Sequence, residues 1–364
     1  MRAARVGQME RIFLKTDTDD EAERRYHGKK EKTGKLPEGW ELRDNFQPVF
    51  LNKYGYYELR KKNTREERDR NFEENYFQEY AGATYQKAYP QEELEFILNK
   101  IEERAWVVEE NLRKVGNQHM TEASASGEAV RPMDPGSYSL LDIGCGEGFL
   151  LQYFYEKGVR VKGIDCGSYA LQSFHPQMLA YFEQGDMETL LPQMAERGET
   201  YDVINMDRVL DMVLNPEECL AAAEKLMTVQ SILVVKVANN YSHLQQMLLA
   251  SGELKEEYWL DDPDHTGYFN REGMLRLLEA CGFEQIDFYG DTFVDFQLLN
   301  PNSNYYERPE TGKAAHATAV RLENLFHVLS MEKTVELYRI LGDMGFGREI
   351  VGVFRKKSGR RNNG

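Results

Sequence analysis

The sequence of 364 residues has few cysteines and no long apolar run. Its four cysteines form no Cys-x-x-Cys pair, so we expect reduced thiols and neither disulfides nor a zinc site. No stretch of about 18 apolar residues occurs, so no membrane contact is expected. The charged N-terminus also lacks the apolar run of a signal peptide. These absences favour a cytoplasmic protein.

Positive charge is scarce as well. The chain has 61 acidic and 45 basic residues, and its formal net charge is −16. Proteins that bind a phosphate backbone need a basic surface, so no nucleic-acid partner is expected. The basic residues 357–364 are predicted to be a solvated tail. With 41% hydrophobic residues, the chain has enough apolar material for a sizeable core.

The first third of the chain is predicted to be an extension of the main domain. Residues 1–36 are charged and poor in apolar residues, which favours a flexible arm. Within residues 37–119, "QPVFLNKYGYYEL" from Gln47 predicts a short hairpin. Apolar residues at steps of three and four predict a helix from Pro90 that ends at Gly116. Residues 120–137 are rich in small residues and are predicted to be a linker.

Buried strands and helices alternate from residue 138 onward. This pattern predicts an α/β core over residues 138–299, with a parallel sheet covered by helices on both faces. Helix caps are expected at Asn215 and Asn270. Residues 300–345 are too long for a simple connection and are predicted to be a helical insertion that caps the substrate. Residues 346–356 complete the core as its final strand.

The stretch "LLDIGCGEGFL" has three glycines at alternate positions, Gly144, Gly146 and Gly148. Such a turn after a strand brings the backbone and a helix N-terminus close to a ligand, although an ordinary strand–helix corner is the alternative. A dinucleotide fingerprint needs G-x-G-x-x-G, and here the third glycine comes one position early. Asp142 precedes the turn, and Asp165 ends the next strand about 20 residues later, where a carboxylate can accept hydrogen bonds from ribose hydroxyls. The pattern therefore favours a nucleoside with a cationic group.

The segment "LDIGCGEGFLLQYFYEKGVRVKGIDCG" resembles the cofactor-binding region of class I S-adenosylmethionine-dependent methyltransferases. The resemblance implies a Rossmann-like, mostly parallel seven-stranded sheet and S-adenosylmethionine as the cofactor. It implies that Gly144, Cys145 and Gly146, in the turn completed by Gly148, line the methionine portion. Asp142 would help to hold the ammonium group through the loop, and Asp165 would bind the ribose.

Two further segments resemble the same superfamily. "QGDMETL" would place Asp186 at the adenine amino group and Met187 at the ring. "YDVINMDRVLDMV" would place Asn205, Met206 and Asp207 along the cofactor. Many relatives carry Glu-His after that strand, whereas this sequence has Asp211-Met212, so a histidine is absent there. An aromatic helix closes over the cofactor in the family, which makes Tyr80 a candidate contact along with Tyr76 and Tyr85; packing of a tyrosine stripe is the alternative.

The segment "PDHTGYFNREGMLRLLEACGF" is similar to small-molecule methyltransferases associated with sugar and polysaccharide biosynthesis. This resemblance extends from about Tyr54 to Lys356. It implies a small acceptor, with a hydroxyl of a sugar or nucleotide sugar as the first candidate. A small amine, or a methyltransferase-fold protein that binds without catalysing, are the alternatives, and a homodimer is possible.

Methyl transfer to a hydroxyl benefits from a base with a near-neutral pKa. His265 is the first candidate, with Asp264 and Asp262 able to orient or charge it; the alternative is a loop histidine that bonds Asn270 or the backbone. "DDPDH" also has the chemistry of a hard-metal site, but Pro263 interrupts the spacing and no metal is predicted.

Four polar residues remain as weaker candidates. Asn239 and Asn240 follow the strand "SILVVKV" and would either bind a polar substrate or form a turn. His316 and His327 are predicted to be surface residues of the helical insertion.

Overall fold

The computed structural model of the chain describes residues 49–60, 62–68, 89–126, 138–261 and 265–357, with 118–126 described by their backbone alone. Several predictions concern residues outside these ranges. They are the charged arm 1–36, most of the linker, the tail after Lys357, and Tyr76, Tyr80, Tyr85, Asp262 and Asp264.

Two sheets organise the described residues. The strands are β1 (Val49–Leu51), β2 (Tyr57–Leu59), β3 (Ser139–Ile143), β4 (Arg160–Asp165), β5 (Phe182–Gln184), β6 (Tyr201–Asp207), β7 (Met227–Ala238), β8 (Gly267–Tyr268), β9 (Phe283–Asp291) and β10 (Glu349–Lys356). The main sheet has the order β5–β4–β3–β6–β7–β10–β9. The pairs among β3 to β7 are parallel, and β10 is antiparallel to both β7 and β9. The predicted mostly parallel, seven-stranded sheet is confirmed.

Both faces of the main sheet are buried because its central strands are apolar on both sides. In β7, Ile232 and Val234 point into one apolar cluster while Leu233 and Val235 point into another. Side chains alternate between the faces of a strand, so a continuous apolar run requires cover on both.

Helices provide that cover. They are α1 (Gln91–Ser126), α2 (Phe149–Glu156), α3 (Tyr169–Phe174), α4 (Met187–Glu196), α5 (Pro216–Lys225), α6 (His243–Ser251), α7 (Arg271–Ala280) and α8 (Gly312–Asp343), with short 3₁₀ segments at Pro176–Tyr181, Tyr258–Asp261, Val294–Leu299 and Pro309–Thr311. Residues of α4, α5 and α7 pack on one face, and residues of α1, α2 and α8 pack on the other. None of the described helices is long and apolar enough to cross a bilayer.

Two predicted helix starts are confirmed by their capping bonds. Asn215 accepts a hydrogen bond from the backbone N–H of Glu218 at 3.3 Å, and Asn270 accepts one from Gly273 at 2.7 Å. Each side chain satisfies a backbone donor that has no partner within the helix.

The predicted end of α1 at Gly116 is wrong. The helix continues to Ser126, so residues 120–126 are helical and do not belong to a linker. A glycine inside a helix costs only about 1 kcal/mol relative to alanine. On the N-terminal side of the glycine, Val108, Leu112 and Val115 pack in the core, and this packing stabilises the helix against that cost.

The predicted hairpin is confirmed and forms the small sheet. β1 pairs with β2, and β2 pairs with β8, all antiparallel. Gly55 has a φ of +90° in the connecting turn, which favours glycine. The Tyr57 ring stacks on Tyr241 with centroids 4.0 Å apart, so the extension packs over the segment that follows β7.

The insertion between β9 and β10 contains two helical stretches, which meet at a kink within α8. α8 is interrupted at Ser330, whose φ of −172° and ψ of 104° are extended. The helix packs against α1 and β9 through buried residues that include Ala315, Ala319 and Val335.

Candidate active site

The glycine turn connects β3 to α2 in a conformation that other residues rarely adopt. Gly144, Gly146 and Gly148 have φ angles of +71°, +50° and +79°. A Cβ atom at Gly144 would overlap the side chain of Val209, and one at Gly148 would overlap Leu171. Gly148 is also the N-cap of α2 and bears no side chain that could block the helix N-terminus. The turn is therefore shaped for close approach of a ligand to the backbone.

Asp165 lies beside this turn at the end of β4. Its carboxylate accepts hydrogen bonds from the backbone N–H of Gly146 at 2.9 Å and of Gly167 at 3.3 Å. Burial raises its pKa. Each carboxylate oxygen has two lone pairs, so both can still accept a hydroxyl proton from a ligand. This geometry fits the predicted ribose contact.

Asp142 lies one strand away and is buried. Its Oδ1 accepts a hydrogen bond of 2.8 Å from Nδ2 of Asn205, its partner on β6. Burial raises the pKa of Asp142 to about 7. A cationic group nearby would favour the ionised carboxylate, as expected for a residue that helps to hold an ammonium group.

Arg104 on α1 is a site residue that the sequence analysis missed. The buried guanidinium donates through Nη1 to Asn205 Oδ1 at 3.0 Å and through Nε to the Tyr289 hydroxyl at 2.9 Å. Its Nη2 lies 3.6 Å from Asp207 Oδ2. Arg104 stands next to the apolar stripe of a helix, and its hydrogen-bond partners Asn205 and Tyr289 are 101 and 185 residues away in sequence, so helical spacing gives no signal.

The placement of Met206 along the cofactor is wrong for its side chain. Met206 lies fully buried in the apolar cluster under α4, α5 and α7. Alternation along β6 puts Asn205 and Asp207 on the opposite face.

A row of polar side chains lies at one edge of the main sheet, next to the apolar cluster beneath α1 and α8. Asp207 and Lys236 are partners on β6 and β7, and Asp291 and Glu349 are partners on β9 and β10. The Lys236 ammonium lies 3.6 Å from Asp207 Oδ1 and 2.5 Å from Glu349 Oε2. We call these four residues the edge row. A lone lysine in the apolar run "SILVVKV" was the one sequence signal for it.

Glu349 and Asp291, at the far end of the edge row, have pKa values that are shifted in opposite directions. Burial alone would raise the pKa of Glu349, but Lys236 and Arg208 lower it to about 2. Burial raises the pKa of Asp291 to about 6, although Lys100 and Lys236 oppose the rise. The row thus combines a firmly ionised carboxylate, an ammonium group and a carboxyl group near neutrality.

Backbone strain is found at the same edge of the sheet. Arg208, Tyr241 and Thr292 have φ angles of +54°, +53° and +63°. Arg208 and Thr292 directly follow β6 and β9, and Tyr241 comes shortly after β7. Non-glycine residues in this region cost of order 1 kcal/mol each and concentrate at functional sites.

Asp186 caps α4, accepting a hydrogen bond of 2.9 Å from the backbone N–H of Thr189, and also pairs with Arg65. Burial alone would raise the pKa of Asp186, but the bonds from Thr189 and Arg65 lower it below its ordinary value. Met187 follows in the first turn, with its sulfur 3.6 Å from Cys219 Sγ. Contact of Asp186 and Met187 with adenine stays a prediction.

Cys145 is buried within the glycine turn. Burial raises the pKa of its thiol well above the usual range, so the thiol stays protonated and unreactive. None of the four cysteines forms a disulfide. A methionine-lining role for Cys145 therefore involves its backbone and shape rather than its reactivity.

His265 lies shortly before β8 and is buried beside Asp211, which is in the loop after β6. Its Nε2 lies 3.5 Å from Asp211 Oδ2. The alternative partner Asn270 caps α7 and donates to the carbonyl of Gly55. Asp211 was not recognised as the partner because the two residues are far apart in sequence. Among the described residues no group of three or more His, Cys, Asp or Glu side chains could hold a metal ion.

Asn239 and Asn240 have different roles. Asn239 donates to the carbonyls of Gly345 and Gly347, at 3.1 and 2.9 Å, and so anchors the segment before β10. The backbone N–H of Asn240 donates to the Phe269 carbonyl at 2.7 Å. The buried Oδ1 atoms of both residues have no hydrogen-bond partner in the described part of the chain. Because Asn239 is already held by the two bonds that it donates, Asn240 is the better candidate for a ligand contact.

The two histidines of the insertion face α1. His316 is half-exposed and its Nε2 lies 3.0 Å from Glu93, as fits a surface residue. His327 contacts Glu103 at 3.0 Å and Glu102 at 3.2 Å, and only 11% of its side chain is exposed. The prediction of a surface residue is wrong for His327, because it joins the two helices.

A family model described as "Methyltransferase domain" matches residues 83–287, more than half of the chain. The chain belongs to this methyltransferase family. The match confirms the predicted methyltransferase superfamily.

Curated relatives of this methyltransferase include two named ubiquinone biosynthesis O-methyltransferase. The one from Ruegeria sp. (strain TM1040) is 27% identical over 42% of this chain and 63% of its own length. The one from Aeromonas salmonicida (strain A449) is 28% identical over 48% of this chain and 77% of its own length. The chain thus spans less than two thirds of the first relative. A solved SAM-dependent methyltransferase from Archaeoglobus fulgidus is 19% identical, with a TM-score of 0.39, over 61% of this chain and 87% of the other.

Proposed function

We propose that this methyltransferase transfers the methyl group of S-adenosylmethionine to a hydroxyl of a small polar acceptor, with a sugar or nucleotide sugar as the first candidate. The edge row carries the proposal. Asp207, Lys236 and Glu349 offer hydrogen-bond acceptors and a donor side by side at the edge of the sheet where β6 and β7 end and the antiparallel β10 begins. Ligands of α/β sheets bind at the carboxyl ends of the parallel strands. A hydroxyl both donates and accepts, so neighbouring hydroxyls suit this alternation.

The curated relatives support oxygen as the methylated atom, because they are named O-methyltransferases. They are also named for ubiquinone biosynthesis. A hydroxyl of a ubiquinone precursor is therefore the second candidate acceptor.

Separate groups of residues would bind the cofactor and the acceptor. The bound cofactor supplies a methyl group activated by its sulfonium. The glycine turn, Asp142 and Asp165 would orient the cofactor, and the edge row would orient the acceptor so that its oxygen lines up with the methyl carbon. His265 would accept the hydroxyl proton during the transfer.

A methyl-transfer assay tests the acceptor class. The full chain is incubated with S-adenosylmethionine and, in separate reactions, with nucleotide sugars, free sugars, catechols and small amines, and the products are analysed by mass spectrometry. A methyl ether on a sugar is the expected result. Methylation of catechols alone would favour the second candidate, and methylation of amines alone would contradict the proposal.

The His265→Ala variant tests the proposed base. Turnover should fall by about 100-fold or more, because general-base catalysis contributes that much, while affinity for S-adenosylmethionine stays the same. His316→Ala is the matched control, since that histidine is half-exposed on α8. An unchanged rate in His265→Ala would remove it as the base.

A further inference from the structure

The first half of α8, before the kink at Ser330, carries a row of exposed apolar side chains. We call this row the α8 stripe; its four members are 38–78% exposed and are Leu322, Leu325, Val328 and Leu329. Steps of three and four residues place side chains on one side of a helix. Single exposed apolar residues are ordinary on a surface, but a contiguous row marks an interaction site.

The opposite side of the same half-helix is fixed on the body of the protein. Ala315 and Ala319 are buried there. The ammonium of Lys100 on α1 lies 2.7 Å from the carboxylate of Glu323, which is itself buried. These contacts set the rotation of α8 about its axis. The α8 stripe therefore points outward and cannot turn into the core.

Charged residues of opposite sign stand at the two ends of the α8 stripe. Arg321 is at its start, and Glu332 follows its last residue by about one turn, just past the kink. The Arg321 side chain is 68% exposed, and its Nε lies 3.2 Å from the carboxylate of Glu92. A guanidinium has five donors, so the Nη groups of Arg321 can bind a second carboxylate.

We propose that the α8 stripe is the contact surface of a homodimer, in which it packs antiparallel against the stripe of a second copy about a twofold axis. Such an axis brings one surface into contact with itself, so that apolar side chains meet apolar side chains. It also places Arg321 near Glu332 of the partner subunit at both ends of the contact. A parallel arrangement would bring like charges together.

The spacing and the charges favour a second copy over other occupants. Steps of three and four residues are the pattern by which one helix packs on another. Anionic lipid head groups would be repelled by the net charge of −16 and by Glu332. An unrelated protein would have to supply a matching apolar row with both charges, which a second copy supplies by symmetry.

Sedimentation equilibrium of the full chain tests the inference. At micromolar concentration the unmutated chain should have twice the chain mass of 42.3 kDa. Leu325→Glu should weaken dimerisation by about 100-fold or more, because it buries a charge in the centre of the contact. Val229→Glu is the control, since it adds the same charge at an exposed apolar residue of β7, and it should dimerise as the unmutated chain does. Circular dichroism and affinity for S-adenosylmethionine should be the same in both variants.

Charge reversal tests the antiparallel arrangement. Arg321→Glu and Glu332→Arg should each weaken the dimer by about 10-fold, because like charges then face each other. The double variant should return to within about 3-fold of the unmutated chain. The contact with Glu92 is lost in Arg321→Glu and in the double variant alike, so their comparison isolates the contact between the copies.

Three results would overturn the proposal. One is an unmutated chain that stays monomeric up to high-micromolar concentration, and another is a dimer that persists in Leu325→Glu. The third is a double variant that dimerises no better than the two single variants.

Discussion

Arg104 on α1 donates a hydrogen bond of 3.0 Å to the side-chain oxygen of Asn205 on β6. Asn205 in turn donates to Asp142, which lies at the start of the glycine turn. The chain of bonds links the N-terminal extension to the carboxylate expected at the cofactor ammonium. α1 therefore contacts residues of the predicted cofactor site in addition to covering the sheet.

The Arg104→Met variant should be destabilised. It removes hydrogen bonds to Asn205 and Tyr289 and takes away a buried cation beside Asp207, although Lys236 remains close to that carboxylate. The free energy of unfolding should therefore fall by about 2–4 kcal/mol in urea titrations. Arg113→Met is the control, because the bond that exposed Arg113 makes among the described residues goes to the carbonyl of Glu109 in its own helix. It should change the free energy by about 0.5 kcal/mol or less. Equal effects of the two substitutions would contradict the role given to Arg104.

The shape of the glycine turn can be separated from its backbone strain. Gly148 and Gly158 have nearly the same φ, +79° and +83°, but an added Cβ would overlap Leu171 at Gly148 and meet nothing within 4 Å at Gly158. Gly158→Ala should therefore cost about 1 kcal/mol of stability from strain alone. Gly148→Ala should cost about 1–3 kcal/mol more and also weaken S-adenosylmethionine binding. Thermal unfolding measures the loss of stability, and calorimetry measures the affinity for S-adenosylmethionine. Equal losses of stability in the two variants would mean that the Leu171 side chain moves aside without cost.

The contact between α8 and α1 should depend on pH. The hydrogen bond to Glu103 raises the pKa of His327 above its ordinary value, with further support from Glu102. A raised folded-state pKa stabilises the fold fully below the ordinary histidine pKa, and this contribution disappears as the pH rises through the raised value. His327→Gln should therefore destabilise most at about pH 6 and progressively less towards about pH 9. The control His316→Gln removes a more exposed pair and should have a smaller effect throughout. A pH-independent loss in His327→Gln would contradict the account.

The cofactor turn could be predicted from sequence because its residues are contiguous or lie at a fixed spacing. Gly144, Gly146, Gly148 and Asp165 belong to one strand–turn–helix–strand unit, whose geometry is local. The residues proposed to bind the acceptor could not be predicted in this way. Lys236 and Glu349 are brought together by strand order, and neither periodicity nor spacing encodes which strand neighbours which.

The end of α1 shows the limit of local signals in another way. A glycine at position 116 favours a stop, but tertiary packing outweighs a propensity of about 1 kcal/mol. The pairing of Asp211 with His265 depends on the hydrogen bonds of Thr266 and Gly267 across two loops, which the sequence does not disclose.

Calorimetric titration with S-adenosylmethionine tests the central claim most directly. The full chain should bind one equivalent with micromolar affinity. Asp165→Ala should bind at least about 10-fold more weakly, because the ribose hydroxyls lose their acceptor. Asp343→Ala, an exposed acid at the end of α8, should bind as the unmutated chain does. Absence of binding by the unmutated chain at millimolar S-adenosylmethionine would contradict the account.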